Sequence, residues 1–160
     1  MTSKPFTTCL WFDGNAEAAA DFYLSVFKDG KLGRIGRYGE AGPGRAGEVM
    51  VVEFEVNGQN FIGLNGGPQF PFTEAVSFQI HCADQAEADH YWEVLTKDGG
   101  QESACGWLKD KFGLSWQVVP TEAIDLISDP DPGRAARATA AMMEMKKLDV
   151  AAMRRAADGS

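Results

Sequence analysis

The sequence predicts an α+β fold of two tandem βαβββ modules followed by a C-terminal helical extension. Apolar residues at positions i, i+3, i+4 and i+7 start at Ala19 and recur 69 residues later from Ala88, as on the buried faces of two helices. The tripeptide Lys-Asp-Gly follows both helices, at 28–30 and 97–99. An alternating, strand-like segment precedes each helix, and three more follow it. The two halves therefore predict the same unit twice.

The first module is predicted to open with a strand over 5–12. Its helix should bury the face formed by Ala19, Phe22, Tyr23 and Val26. Gly30 is expected to end this helix in the left-handed conformation. Three strands should follow, at 32–38, 48–56 and 60–65. Asn57-Gly58 predicts a tight hairpin turn between the last two. The glycine-rich segment 39–47 predicts a hairpin tip rather than a phosphate-binding loop, because no helix follows it.

The second module is predicted to open with a strand over 75–82. Asp84 and Glu87 have capping-box spacing and should begin a helix. The buried face of that helix should be formed by Ala88, Tyr91, Trp92 and Leu95. We expect its Gly99 to end it as Gly30 ends the first helix. Shorter strands are predicted at 101–105, 107–111 and 114–119.

The C-terminal part is predicted to be helical. A short helix over 121–127 should begin with Thr121 as its cap, and Asp131-Pro132 should begin another. Leu148 and Met153 have the spacing of a hydrophobic staple around Asp149. We thus divide the chain into a paired domain over 1–129, with modules at about 5–66 and 75–120, and an extension over 130–160. The Ala- and Met-rich extension should pack either on its own domain or in a dimer interface.

Composition narrows the classes of partner. The 160 residues carry a net charge of −8, which disfavours binding to nucleic acid and to anionic membrane surfaces. The N-terminal segment lacks the apolar region of a signal peptide, and no apolar run approaches the roughly 20 residues that span a bilayer. The three cysteines have no CxxC spacing and indicate reduced thiols. We therefore expect a cytoplasmic protein.

Three segments carry a resemblance to a known family: FDGNAEAAADFYLSVF at 12–27, LNGGPQFPF at 64–72 and CGWLKDKFGLSWQVVP at 105–120. With the duplicated module, they resemble the PhnB-like branch of the vicinal-oxygen-chelate superfamily, which includes glyoxalases, bleomycin-resistance proteins and extradiol dioxygenases. The resemblance covers about residues 5–127. Many members of this branch are labelled 3-demethylubiquinone-9 3-methyltransferase. This chain has no glycine-rich turn between its first strand and helix that could hold a nucleotide-like cofactor, so we doubt that activity here.

The resemblance implies a cup-shaped pocket and, in catalytic members, a divalent metal. The metal is held by one His, Gln or Glu from the first and last strand of each module. Carried over by the spacing to the helices, these positions fall at Thr8, near Gly63, at Ser77 and at Gln117. Hydroxyl, glycine and amide groups are poor ligands for iron, nickel or zinc. We therefore expect neither a metal nor another cofactor.

Pocket candidates follow from the same carry-over and from strand alternation. His81 alternates with Ser77 and Gln79, so the three should share a strand face. His90, Glu53 and Glu55 are interpreted as solvated side chains. The full set of pocket candidates is Thr8, Leu10, Phe12, Asn65, Ser77, Gln79, His81, Cys105, Trp107 and Gln117.

Three hypotheses of function remain open. The first is metal-free binding of a small, partly aromatic ligand by a homodimer. The second is a divalent-metal lyase, isomerase or dioxygenase that uses unusual ligands around His81. The third is an assembly protein with a vestigial pocket. A nucleophilic role for Cys105 would require a nearby cation such as Lys109 or Lys111.

Overall fold

A computed structural model describes residues 6–160 and divides them into two compact units. The first unit ends at Phe72, and the second spans Thr73–Ser160. Each unit contains one four-stranded mixed sheet with a helix on one face, so the predicted pair of βαβββ modules is confirmed. None of the helices among the described residues is long and apolar enough to cross a membrane.

The first unit follows the predicted order. Its elements are β1 (Thr8–Phe12), α1 (Ala16–Val26), β2 (Gly30–Arg37), β3 (Val49–Val56) and β4 (Gln59–Asn65). The strands lie in the order β1-β4-β3-β2, with β1 parallel to β4 and the other pairs antiparallel. Pro5, the first residue of the predicted strand, lies outside the described residues.

The core of the first unit lies between α1 and the sheet. Tyr23 of α1 stacks on Phe54, and Phe54 stacks on Phe61 of the neighbouring strand. Ala19 and Val26 are buried with them, while Phe22 is only half-buried. The helical spacing therefore predicted the buried face of α1 with one partial exception.

Turn chemistry was predicted correctly at one site and wrongly at another. Asn57 and Gly58 both have positive φ, 49° and 76°, as a two-residue hairpin turn requires. Gly30 does not end α1, whose last residue is Val26 and whose C-cap is Phe27; instead Gly30 is the first residue of β2. A Cβ at Gly30 would lie 2.7 Å from the Leu24 side chain, so close packing rather than a left-handed backbone favours glycine here.

The second unit repeats the arrangement and adds three helices. Its elements are β5 (Ser77–Cys82), α2 (Gln85–Thr96), a 3₁₀ turn (Lys97–Gly99), β6 (Gln101–Glu102), β7 (Trp107–Lys109), β8 (Ser115–Pro120), α3 (Thr121–Ile127), α4 (Pro132–Met143) and α5 (Val150–Asp158). The strand order is β5-β8-β7-β6, and β5 is parallel to β8. Gly99 has the predicted positive φ of 111°, but it closes the 3₁₀ turn rather than α2 itself.

Three of the four predicted N-terminal helix caps are present. The Asp84 carboxylate accepts a hydrogen bond from the Glu87 N–H at 2.9 Å, and the Glu87 carboxylate accepts one from the Ala83 N–H. Asp131 caps α4 and Asp149 caps α5 as predicted. Thr121 does not cap α3: it is the first helical residue, and its hydroxyl donates to the Cys82 carbonyl.

The C-terminal helices pack on their own module. One buried cluster joins α3 to α4 and α5, and its members are Ala123, Leu126, Ala138, Leu148, Val150, Met153 and Ala157. Leu148 and Met153 both belong to it, as the staple predicted. Gln85 at the start of α2 also bonds the backbone on both sides of Asp149. Of the two predicted locations for the extension, the structure thus shows the one on its own domain.

Candidate functional site

Residues that are 69 positions apart in the first strands of the two modules do not lie on equivalent faces of their sheets. Leu10 and Phe12 are buried on the face of β1 that α1 covers, and Thr8 shares that face. The positions that alternate with them are Cys9 and Trp11. The connection from β1 to α1 has three residues, whereas that from β5 to α2 has two. Thr8, Leu10 and Phe12 therefore lie on the face that α1 covers. Their counterparts 69 residues later lie on the uncovered face of the second sheet, because one extra loop residue reverses strand alternation.

Gly63 also lies on the covered face of the first sheet. It pairs with Leu10 on β1, and a Cβ there would lie 3.1 Å from Ala16. Trp11, on the opposite face, packs its ring against Gly66 and donates to the Gly67 carbonyl at 2.8 Å. The glycines of the LNGGPQFPF segment thus accommodate a tryptophan side chain.

Asn65 has a structural task at the start of α1. Its side-chain oxygen accepts from the Ala16 N–H at 2.9 Å, and its amide nitrogen donates to the Val49 carbonyl at 3.1 Å. It also borders a cavity of about 770 Å³, together with Arg37, Tyr38 and the glycine-rich hairpin tip. Both ends of the Asn65 amide are hydrogen-bonded, so Asn65 connects the start of α1 to the start of β3.

The second sheet does bring predicted residues together. Along β5, Ile80 and Cys82 are buried, while the alternating residues Ser77, Gln79 and His81 are half-buried or exposed. We call the surface that carries these three residues the open face of the second sheet. Strand alternation predicted their shared face correctly.

A chain of side-chain hydrogen bonds crosses the open face. The Gln117 amide nitrogen donates to the Ser77 hydroxyl at 2.8 Å, and the Gln79 amide nitrogen donates to the Gln117 oxygen at 3.1 Å. Trp107 pairs directly opposite Gln117 on the neighbouring strand. Gln79 is exposed, so its own carbonyl oxygen can accept from a ligand. The open face thus combines fixed neutral polar groups with an indole ring.

Cys105 lies at the edge of this module and contacts the C-terminal segment. It has a positive φ of 57°, its N–H donates to the Met145 carbonyl, and its sulfur lies 3.6 Å from that of Met143. Lys109, one of the two cations considered for it, forms an ion pair with Glu74. The contacts of Cys105 are therefore those of a residue that anchors the extension.

Asp110 organises the turn between β7 and β8, a role that its charged neighbours concealed in the sequence. Its side chain is buried, and its carboxylate accepts from the Phe112 N–H at 2.8 Å, the Leu114 N–H at 3.1 Å and the Trp116 indole N–H at 2.8 Å. The available signal in the sequence was an acidic residue followed, within six positions, by Phe112-Gly113 and Trp116. This network fixes the strand that carries Gln117.

The candidate set omitted Ser115 and Lys109 of the second sheet and Glu74, which lies just before β5. Ser115 and Lys109 pair across β8 and β7, and all three border a cavity of about 120 Å³ with Trp107. Ser115 alternates with Gln117 along β8, so it belongs to the same face. Only the pairing of the strands reveals this group.

The donors at the open face do not fit a tight divalent-metal site. Ser77 offers a hydroxyl, and Gln79 and Gln117 offer amides that already bond to each other. Across residues 6–160, no group of three or more His, Cys, Asp or Glu residues is arranged to hold a metal ion. Iron, nickel and zinc favour imidazole, thiolate or carboxylate ligands. Among the three β5 side chains that define this face, His81 is the one strong ligand.

Comparisons with known proteins agree on one family. A family model described as 3-demethylubiquinone-9 3-methyltransferase matches residues 4–119. A putative 3-demethylubiquinone-9 3-methyltransferase, the PhnB protein from Bacillus cereus, is 35% identical, with a TM-score of 0.66 over 74% of this chain and 100% of that one.

Two more distant solved structures share the fold. Protein PA1353 from Pseudomonas aeruginosa is 22% identical, with a TM-score of 0.59 over 74% of this chain and 98% of that one. The fosfomycin resistance protein FosX from Mesorhizobium loti is 12% identical, with a TM-score of 0.52 over 74% and 92%. No curated protein matches the chain.

Proposed function

Since the chain belongs to the 3-demethylubiquinone-9 3-methyltransferase (PhnB-like) family, with the fold of the vicinal-oxygen-chelate superfamily, we propose that it binds a small, partly aromatic molecule without a metal. The single observation that carries this proposal is the bonded row of Ser77, Gln117 and Gln79 opposite Trp107 on the open face. Bonded amides are held in place before a ligand arrives, which lowers the ordering cost of binding. Methyl transfer is not part of the proposed function, because the Asp13-Gly14-Asn15 connection between β1 and α1 lacks the glycine-rich turn that holds a nucleotide-like cofactor.

The chemistry of the open face defines the ligand class. Trp107 offers a flat apolar surface for a ring, and the glutamine amides offer both a donor and an acceptor. Neutral hydrogen-bonding groups favour an uncharged or weakly anionic ligand over a phosphate or a dicarboxylate. FosX shares only the fold, at 12% identity, so fosfomycin resistance has no bearing on the ligand of this chain.

The proposal is tested with planar aromatic fragments and a glutamine variant. Gln117→Leu should weaken binding of a fragment by about 1–3 kcal/mol, because a polar ligand atom loses its partner. Gln59→Leu is the matched control: Gln59 is exposed on the first sheet and bonds only weakly to Thr8 at 3.3 Å. Affinities are measured from chemical-shift titrations, in which the Trp107 indole signal should move. Equal affinity in both variants and the parent would place the site elsewhere.

We also propose that the protein is a cytoplasmic homodimer. Its three cysteines are free thiols, which suits a reducing compartment. Strand β2 forms one edge of the first sheet and exposes Leu32 and Ile35 to 48% and 37%. An exposed apolar edge strand favours pairing with another chain. Sedimentation at micromolar concentration should show a dimer, and Leu32→Lys with Ile35→Lys should yield a monomer. A monomeric parent would contradict the proposal.

A further inference from the structure

Ser115 has a buried hydroxyl without a partner. The residue is 1% exposed, and its oxygen is the one buried side-chain nitrogen or oxygen among residues 6–160 for which no hydrogen bond is found. Native proteins satisfy nearly all such groups, so an unpartnered hydroxyl calls for an explanation. Ser115 borders the 120 Å³ cavity and lies on the strand face of Gln117. A ligand atom that reaches this position would satisfy it.

Among residues 6–160, Lys109 is the one cation that borders this cavity, and its ammonium group is already paired with a carboxylate of the protein. Lys109 pairs with Ser115 across the strands and forms an ion pair with Glu74. The hydrogen bond from Lys109 is the main cause that lowers the pKa of Glu74, so Glu74 is charged near neutral pH. The Glu74 and Lys109 side chains are 63% and 33% exposed, and an exposed ion pair of this kind is weak. An incoming carboxylate can therefore compete with Glu74.

Glu74 itself limits the charge of the ligand. Glu102 also borders this cavity, but it pairs with buried Leu108 and its carboxylate accepts from the Trp92 indole N–H at 2.8 Å, on the α2 side of the sheet. Because Glu74 lies beside Lys109, one Lys109 ammonium balances a single negative charge on the ligand but not two. The local charges thus favour a monocarboxylate over a phosphate or a dicarboxylate.

We propose that the open face recognises a planar aromatic monocarboxylate whose carboxylate displaces Glu74 from Lys109 and accepts a hydrogen bond from Ser115. This inference rests on the proposed ligand-binding function and specifies its substrate class. The aromatic ring lies against Trp107, beside the Gln117 amide. In the absence of a ligand, Glu74 acts as an internal competitor that neutralises Lys109.

The test compares benzoate with its uncharged analogue benzamide by chemical-shift titration of the intact protein. Glu74→Gln should bind benzoate about two- to fivefold more tightly than the parent, because the competing carboxylate is gone, and should leave benzamide affinity unchanged. Lys109→Gln should weaken benzoate binding about tenfold and spare benzamide. Ser115→Ala should also weaken benzoate selectively. Glu55→Gln, which removes an ion-paired carboxylate on the first sheet, should change neither affinity.

The outcomes separate this inference from the proposed function. Benzoate affinity that is equal in Glu74→Gln and the parent would overturn the displacement of Glu74. If Gln117→Leu then still weakened benzamide binding, the function would stand and only the monocarboxylate class would fail. Absence of any Trp107 shift with both probes, in the parent and in Glu74→Gln, would overturn both. An equal gain for benzoate and benzamide in Glu74→Gln would show a steric effect and also overturn the inference.

Discussion

Replacing Asp110 by Asn tests whether the turn between β7 and β8 depends on a buried carboxylate. One Asp110 oxygen accepts from the Phe112 and Leu114 backbone N–H groups, and the other accepts from the Trp116 indole. In Asp110→Asn, the single amide oxygen can keep the two backbone bonds. The amide NH₂ group then faces the Trp116 indole N–H, and two donors oppose each other.

The cost follows from these three bonds. Loss of the bond from the Trp116 indole leaves a buried N–H donor unsatisfied. The two remaining bonds, from the backbone N–H groups, are weaker because their acceptor is then a neutral amide instead of a carboxylate. We expect Asp110→Asn to lower the free energy of unfolding by about 2–4 kcal/mol. Trp116→Phe removes the opposing donor, so in that background the cost of Asp110→Asn should be smaller by about 1–2 kcal/mol.

The assay is urea unfolding followed by far-UV circular dichroism, applied to the parent, both single variants and the double variant. Asp125→Asn is the control, since Asp125 is exposed on α3 and the same change there should cost less than about 0.5 kcal/mol. Additive effects of Asp110→Asn and Trp116→Phe, within about 0.5 kcal/mol, would refute the proposed role of the indole bond. A cost of Asp110→Asn no larger than that of the control would refute the network altogether.

Three further predictions concern the extension, acid stability and metal. Met153→Ala should cost about 2–4 kcal/mol in urea unfolding because Met153 is fully buried in the C-terminal cluster, whereas the same change at exposed Met143 should cost little. Hydrogen bonds from the Asp131 N–H and Arg134 lower the pKa of Asp129, so Asp129→Asn should reduce the melting temperature at pH 7. Parent and variant should converge as the pH falls from about 4 through the lowered pKa of Asp129 in the folded protein, where the stabilising carboxylate becomes protonated; a constant difference would contradict this. Protein purified without added metal should hold well under one equivalent of nickel, zinc, iron or manganese, and a chelator should not shift its melting temperature. One tightly held equivalent that His81→Ala removes would contradict the metal prediction.

The parts of the fold that depend on local chemistry could be predicted from the sequence. Capping by Asp84, Asp131 and Asp149 depends on a side chain that reaches an N–H two or three residues ahead, and all three caps are present. The Asn57-Gly58 turn depends on residues that tolerate positive φ. The buried faces of the two main helices follow from helical periodicity. Each of these features depends on residues that are close together in the sequence, so it can be predicted without knowing how the strands pair.

The candidate site could be predicted only in part, because it depends on register. The spacing from β5 to α2 correctly grouped Ser77, Gln79 and His81 on one face. The same spacing failed for Thr8, since a single extra residue before α1 turns a strand position to the opposite face. The sequence could therefore identify the second sheet's open face but not that of the first.

Contacts between distant segments were decided by the tertiary structure alone. Glu74 meets Lys109, and Lys109 meets Ser115, because β7 and β8 pair in one register and the segment before β5 lies beside them. Asp110 is buried although charged residues flank it, since its three donors converge only in the folded turn. Local patterns in the sequence were sufficient to predict the family, the two modules and the three aspartate caps. Strand pairing determined which side chains share a face, because hydrogen-bond register is a relation between segments far apart in the chain.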